Sequence, residues 1–362
     1  AGTAKYITHN GVNNFRTQGM VSIFHINMQS LTNKLDALEA FICDSNFSLI
    51  CVSEHWFIEP DHLDSLKIGC WSVKSYYCRS SAIHGGVLIL AKPDITANPL
   101  KYVNDISIEF HCELCCVQIS VKTVVVCFYR SPRGDFDLFL NNLELVLDKL
   151  LNFNIVRLGD FNVHFGVDKK SSMLCAFLKA NGFIQTIFDA TRGDNCLDNV
   201  FINFSLDDYV ATTLDIGLSD HLGQNIILNG MDLHPPHNNS IIKVQRPLTN
   251  TGLNLFFNTL SNCDWEDVFK SNETDCNGSF SNFLNFIINS FKTCFPELKS
   301  ITRRNSSNNR WFSDKLRKLR SSLQLVCELY SRYRTRNLFE ARKSLRVIYA
   351  KEIKLAKVQS ND

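Results

Sequence analysis

The run NIVRLGDFNVHF, residues 154–165, sets an apolar β-type segment, Ile155 to Leu158, directly before Gly159-Asp160-Phe161-Asn162. A short apolar run bounded by turn signals is the pattern of a buried strand, and its polar end lies at the rim of a sheet. Asp160 and Asn162 are two apart, so in extended backbone they share a face while Phe161 turns to the core. Asp-x-Asn is common in turns but much rarer after a buried strand. Here it brings a carboxylate able to take a proton from water beside an amide able to orient the nucleophile or bind phosphate.

Working outward, three more polar signatures close apolar runs. Asn27 ends the strand-like run 21–27, Glu54 follows Leu49-Ile50-Cys51-Val52-Ser53, and Ser219-Asp220-His221 precedes a run at 224–228. Each is weak alone, and their order and spacing make them specific. Hydrolysis of a phosphodiester needs a hard cation, a base for water and donors for the developing charge. Mg²⁺ is held by few carboxylates plus waters, so Glu54 suffices, with Asn27 and Gln29 as neighbours. His221 can donate to phosphate but needs a partner to fix its tautomer, and Asp198 is the best candidate. Tyr129 and Arg130 end a strand with a phenol and a guanidinium, both able to contact phosphate. Taken singly, Glu54, Asp198 and His221 read as loop, turn and surface residues.

The rest of the chain fits a β-rich body. Strands are expected at 21–27, 49–53, 71–78, 86–90, 106–111, 114–120, 123–129, 154–158, 197–203, 209–213 and 224–228, and helices at 32–43, 135–151 and 171–181. Thr32 is a possible N-cap. Many strands in hairpin-like succession, with helices to cover them, predict two packed sheets flanked by helices. Residues 230–240, with a Pro pair, mark a domain edge. Residues 247–299 read as helical, 305–309 as a break and 311–357 as a long basic helix. The resulting domains are a flank at 1–19, the β-rich body at 20–230, a linker with helices at 231–310 and a basic helical segment at 311–358.

Charge follows this division. Residues 301–358 carry 16 Lys/Arg against 4 Asp/Glu, whereas residues 1–300 carry 22 against 31. An acidic body with a basic tail suits a metal-holding domain joined to a segment that meets nucleic acid, though a solvated amphipathic helix explains the tail's charge equally well. The 14 Cys are scattered through apolar runs, which fits buried thiols in a reducing, intracellular compartment, nuclear or cytoplasmic. The Cys112-x-x-Cys115 pair lacks a second ligand pair, so it reads as strand packing. No run approaches the ~18 apolar residues of a membrane span. The start at Ala1 suggests a piece of a longer polyprotein.

Asn27, Glu54, Tyr129, Asp160, Asn162, Asp198, Asp220 and His221, in this order, resemble the endonuclease/exonuclease/phosphatase superfamily. In particular they are similar to the apurinic-endonuclease-like domain of non-LTR (LINE-type) retrotransposon polyproteins. The strings that carry the resemblance are FHINMQSLTNKLDALEAFI, LICVSEHWF, GGVLIL, FYRSP, LGDFNVHF, ATRGDNCLDNVFIN and LSDHLGQNIIL, over roughly residues 20–230. NRWFSDKL at 309–316 and the basic stretch after it resemble the linker between endonuclease and reverse transcriptase in those elements. No Tyr-x-Asp-Asp polymerase motif follows.

The resemblance implies a four-layer α/β/β/α sandwich with a C-terminal helical basic extension. It implies Mg²⁺ (Mn²⁺ as an alternative) at Glu54 beside Asn27, with Asp220 near the metal or the phosphate. Asp160 would position or deprotonate water, Asn162 would orient it, His221 held by Asp198 would contact the scissile phosphate, and Tyr129 would bind phosphate. Gln29 stands where cellular repair members carry an acid, and Gly223-Gln224 replaces the usual sequence after the His. The implied function is a DNA endonuclease that leaves a 3′-hydroxyl to prime reverse transcription, with element RNA or a reverse transcriptase domain as partners. Alternatives are another phosphodiesterase of the superfamily, such as one acting on inositol phosphates or sphingomyelin, and a silent nucleic-acid-binding relic. Loops 79–84, 132–135 and 192–195 are candidates for target preference.

Overall fold

The computed structural model describes residues 20–82, 84–204, 209–229, 241–246, 248–269, 276–302 and 311–361. The chain divides into two compact units, one of residues 1–237 with 309–362, the other of residues 238–308.

In the first unit the strands are β1 (Val21–Asn27), β2 (Leu49–Ser53), β3 (Lys67–Ile68), β4 (Trp71–Tyr77), β5 (Val87–Ala91), β6 (Asn98–Pro99) and β7 (Glu113–Gln118). They continue with β8 (Thr123–Tyr129), β9 (Asn154–Asp160), β10 (Ile184–Gln185), β11 (Asp198–Ile202), β12 (Tyr209–Leu214) and β13 (Gly223–Leu228). Interspersed are helices α1 (Leu35–Ile42), α2 (Pro60–Ser65), α3 (Lys101–Asn104), α4 (Phe136–Lys149) and α5 (Lys169–Ala180). The strands form a seven-stranded sheet, β12-β13-β1-β2-β5-β4-β3, and a six-stranded sheet, β10-β11-β9-β8-β7-β6. Only β1 with β2 and β8 with β9 run parallel; the other pairs are antiparallel.

Period-two alternation builds the layers. Val21, Ile23, Leu49, Cys51, Val87 and Ile89 face the other sheet and join Val124, Val126 and Leu158 in one core. The intervening Phe24, Ile26, Ile50, Val52, Leu88 and Leu90 face outward and are covered by Leu38, Phe41 and Ile42 of α1. On the far side α4 buries Phe139, Leu143 and Val146, where Phe139 meets the Phe161 ring edge-on at 6.2 Å. Asp135 starts α4, its carboxylate accepting from the amides of Asp137 and Leu138 at 2.9 Å. The result is helix, sheet, sheet, helix, the four-layer sandwich expected from the sequence.

β1 and β2 in one sheet, and β8 and β9 in the other, end at the same rim. Register places Tyr129 opposite Asp160, and Asp160 opposite Asp198, the first residue of β11. Asn27 lies opposite Ser53, one residue before Glu54.

Several details differ from the sequence reading. Residues 106–111 are not a strand: they make a tight loop closed by an Ile108–Cys112 bridge and anchored by Asn142 Nδ2 donating to the Ile106 carbonyl at 2.7 Å. Apolar alternation there marks partial burial without a pairing strand. Helix α1 starts after Lys34 with no side-chain cap, so Thr32 does not cap it. The readings for 1–19, 230–240 and 305–309 lie outside the described residues. Cys112, Cys115 and Cys116 are buried, and among the described residues they belong to no metal-type cluster.

In the second unit β14 (Ile241–Gln245) pairs antiparallel with β15 (Leu298–Thr302) around α6 (Asn250–Ser261), α7 (Trp265–Phe269) and α8 (Cys276–Cys294). The sequence reading foresaw helices but not this pair, whose partners lie far apart in the chain. Aromatic contacts tie the helices together, Phe256 with Phe291 and Trp265 with Phe283 and Phe286.

The basic stretch is two helices, α9 (Asp314–Tyr333) and α10 (Arg336–Asn361), joined at Arg334, which is left-handed at φ 51°. It was read as a separate segment but is part of the first unit. Phe312, Leu316, Leu323, Tyr349 and Ile353 form a core with Ala40 of α1. Lys357 pairs with Asp36 at 2.6 Å and Glu39 at 2.5 Å, Arg317 with Asp44 at 3.0 Å, and Arg342 with Asp215 at 3.0 Å. Among the described residues no helix is long and apolar enough to cross a membrane.

Candidate active site

Strand ends deliver the polar groups. Asn27 is fully buried, and its Nδ2 donates to Glu54 Oε1 at 2.7 Å and to Asp160 Oδ2 at 2.8 Å, so one amide joins a carboxylate from each sheet. Trp56 Nε1 donates to the other Glu54 oxygen at 3.0 Å. Asn162 aligns Asp160 twice, its backbone N–H donating to Oδ1 at 2.9 Å and its Nδ2 to Oδ2 at 3.1 Å. That Nδ2 also donates to the Arg130 carbonyl at 2.7 Å, so the amide nitrogen holds the base rather than a water.

Across the rim, His221 Nδ1 lies 2.8 Å from Asp198 Oδ2, which also accepts from Thr191 Oγ1 at 2.7 Å. The ligand-type atoms of Asp160, Asp198 and His221 lie within 4.8 Å of one another, all buried. Neither His221 Nε2 nor Asp198 Oδ1 has a protein partner. A buried polar atom without a partner is costly, and His221 Nε2 is placed to donate to an anion.

Electrostatics divides the roles. Burial raises the Asp160 carboxyl, the Asp198 charge adds to this, and the group is pushed up to about 7. Burial alone would lower His221, but the Asp198 charge and hydrogen bond prevail and raise it to about 9. Burial works against the Asp198 carboxylate, yet the His221 partner holds it below the usual range. Burial, then the charges of Glu54 and Asp160, keep the Tyr129 phenol protonated as a donor.

The backbone is unusual at the same place. Gln29, Glu54 and Asn162 take left-handed φ values of 45°, 55° and 48°. Non-glycine residues in this region cost of order 1–3 kcal/mol and cluster at functional sites. Gly159 is required: a Cβ there would stand 2.0 Å from the Phe128 carbonyl oxygen.

Two sequence-predicted residues are turned elsewhere. Arg130 is buried and gives its guanidinium to the carbonyls of Phe161, Gly134 and Asn162 at 2.8, 2.8 and 2.6 Å, so it fixes the GDFN turn instead of reaching for phosphate. Asp220 is half exposed and pairs with Arg192 at 2.8 Å, while its charge also acts on His221 and Lys34. Gln29 enters through its backbone, its N–H donating to Asn27 Oδ1 at 3.1 Å. Sequence reasoning missed Thr191 and Lys34. Lys34 Nζ donates to the carbonyls of Met28 and Gln29, and although burial lowers its pKa, the charges of Asp220 and Glu54 act on it. Thr191 lies in a polar turn and Lys34 reads as a solvated lysine at the start of a helix, so neither carries a signal of its role.

No protein-family model matches this sequence, and no curated protein does. Solved structures do. One is the endonuclease domain of TRAS1, a telomere-specific non-LTR retrotransposon, at 14% identity and TM-score 0.46, covering 58% of this chain and 99% of that one. Another is an AP endonuclease from Archaeoglobus fulgidus, at 15% identity and TM-score 0.45, covering 57% and 99%. A third is an endonuclease/exonuclease/phosphatase family protein from Bacteroides thetaiotaomicron, at 10% identity and TM-score 0.42, covering 59% and 98%. Such identities, with scores below 0.5, leave function to be read from the side chains.

Those side chains fit a hard divalent cation. Glu54 offers a carboxylate and Asn27 an amide oxygen at the rim, and the Asn27 Nδ2 bonds tie Glu54 to Asp160 across the two sheets. The Asp198–His221 pair, by contrast, already satisfies one oxygen and one nitrogen internally.

Proposed function

We propose that this chain is a divalent-metal-dependent DNA endonuclease that hydrolyses the P–O3′ bond, leaving a 3′-hydroxyl and a 5′-phosphate. The observation that carries this reading is the set of buried Asp160, Asp198 and His221 at the rim where both sheets end, with His221 Nε2 unpartnered. Glu54, with Asn27 beside it, would hold Mg²⁺ or Mn²⁺, which when bound neutralises phosphate oxygens and favours the leaving oxygen. Asp160, aligned by Asn27 and Asn162, takes the proton of the attacking water. His221, oriented by Asp198, donates from Nε2 to a phosphate oxygen as charge develops there. Tyr129 supports the same phosphate as a neutral donor. The basic α9–α10 pair favours a polyanionic substrate over a small phosphate ester. In a larger protein the 3′-hydroxyl would serve as a primer for a reverse transcriptase copying element RNA, and 14 cysteines that form no disulfide suit a reducing intracellular compartment, nuclear or cytoplasmic.

The test is nicking of supercoiled plasmid by the purified chain with Mg²⁺, with EDTA, and with Asp160→Asn and His221→Ala. Relaxed circles that need Mg²⁺ and fall at least ~100-fold in either folded variant support the reading. Equal, undetectable relaxation in all of them would remove it in favour of a silent binder.

A further inference from the structure

Beside His221 lies a second feature that the hydrolytic reading does not use. A cavity of about 510 Å³ opens between the loop carrying Arg192, Gly193 and Asn195 and the turn between α9 and α10, and it is lined by Tyr330, Arg334, Arg342 and Asp220. Its volume is that of a site for a small polar group or one nucleotide. Its lining includes three arginines, each paired with one carboxylate, Arg192 with Asp220, Arg334 with Asp194 and Arg342 with Asp215. The loop that walls the cavity is tied to the catalytic rim by backbone, because Arg192 and His221 form a β-bridge and Leu222 N–H donates to the Thr191 carbonyl at 2.6 Å.

We infer that this cavity is a phosphate subsite for the DNA strand flanking the scissile bond, with Arg334 and Arg342 of the α9–α10 pair as its phosphate donors. The inference rests on the nuclease reading for its substrate and extends it to a part of the chain outside the sandwich. Three observations carry it. Arg334 occupies the left-handed position that closes α9, where glycine or asparagine is the usual choice, and a bulky side chain there is retained at a backbone cost. The Arg334 guanidinium reaches back across the turn to the Gly193 carbonyl at 3.1 Å and Asp194 at 3.2 Å, which holds the cavity wall against the catalytic loop. Arg342 is braced from two sides, by Asp215 at 3.0 Å and by the Tyr330 ring 5.3 Å from its guanidinium carbon. An arginine has five N–H donors, and Arg334, which spends Nε on the Ser331 carbonyl and Nη2 on Gly193 and Asp194, keeps Nη1 for a phosphate.

The experiment uses the full chain and a labelled DNA duplex. Binding is followed by anisotropy in Ca²⁺ across a salt series, and nicking kinetics are followed in Mg²⁺. The proteins are wild type, Arg334→Gln, Arg342→Gln, Arg334→Lys and Asp160→Asn, each checked by thermal melting. The expected result is that each Gln variant lowers the slope of log affinity against log salt by about 1 and raises KM roughly tenfold with kcat held. Arg334→Lys keeps the slope because it keeps the charge. Arg342→Gln can also loosen the fold through Asp215; Arg334, whose partner Asp194 is fully exposed, keeps the test decisive. Unchanged slope and KM in Arg334→Gln, with nicking that depends on Asp160, overturn the subsite and leave the nuclease standing. A slope that falls as expected without any nicking in wild type supports the subsite and overturns the hydrolytic reading. No DNA binding by wild type overturns both.

Discussion

His221 and Asp198 form a buried pair, 2.8 Å apart, whose protonation should set both the proposed hydrolysis and the stability of the fold. With Asp160 pushed up to about 7 and His221 to about 9, hydrolysis should rise as Asp160 loses its proton and fall as His221 does. The predicted rate profile is a bell between these values, its limbs belonging to the coupled cluster rather than to single residues. A bound cation should pull the lower limb toward acid. A kcat flat from about pH 6 to pH 10 would exclude these two groups from the rate-determining chemistry. Stability follows a different window. His221 is raised above its ordinary 6.5, so its contribution is whole below 6.5 and is lost as pH climbs through about 9. Asp198 is depressed below its ordinary 3.8, so its contribution is whole above 3.8 and is lost only at lower pH. Breaking the pair by Asp198→Ala should cost about 3–5 kcal/mol near pH 6, measured by urea unfolding, and less near pH 10. At this scale the buried strand before it marks Asp160, whereas Asp198 and His221 taken singly read as turn and surface residues and stand out only by their order along the chain. It hid the fates of Arg130 and Asp220, which are decided by partners 31 or 28 residues distant.

Elements were legible where the periodicity had a partner to satisfy it. β8 was foreseen at its full extent and β9 to within two residues, because Val, Ile and Leu runs of that length must be buried on both faces of a central strand. The run 106–111 alternates apolar with polar residues as a half-buried strand would but has no neighbouring strand, and composition alone could not reveal that. Two predictions belong to this pair of strands. Gly159→Ala should force the Phe128 carbonyl away and open the ladder at Tyr129 and Asp160, costing more than about 2 kcal/mol of stability. Chemical denaturation would reveal it, and a native-like midpoint would mean the ladder yields more easily than this contact allows. Arg157 should behave in the opposite sense. It is wholly buried in β9, with no hydrogen-bond partner and its guanidinium between Phe128 at 5.1 Å and Phe183 at 4.7 Å. Burial lowers its pKa to about 10, a sign of the desolvation it bears. Arg157→Met keeps the packing and removes the charge, so it should raise stability by about 1–4 kcal/mol. A lower melting temperature in that variant would show that the ring contacts outweigh desolvation.

For the whole molecule, the sequence displayed an acidic body and a basic tail but could not show that they touch. The amphipathic spacing of α9 reads equally as a solvated helix or one with a partner, and only the position of α1 decides between them. The apolar stripe of α9 and α10 buries Phe312, Leu316, Leu323 and Ile353 against Ala40, and the cations above it meet Asp36, Glu39, Asp44 and Asp215 of the body. The exposed pairs add little, each within about 1 kcal/mol. The apolar side chains add more, about 1.5–3 kcal/mol for each large one fully buried. Removing residues 311–362 should therefore uncover part of α1 and lower the melting temperature by at least about 5 °C, with increased binding of a hydrophobic dye. The opposite outcome is equally definite: if the helices were only a charged appendage, the shortened chain would melt where the full chain does, and only its affinity for polyanions would change. Raising salt separates the two contributions, because screening weakens the ion pairs and leaves the apolar stripe in place. The loss of melting temperature on truncation should thus persist at about 0.5 M salt, where the exposed pairs no longer matter.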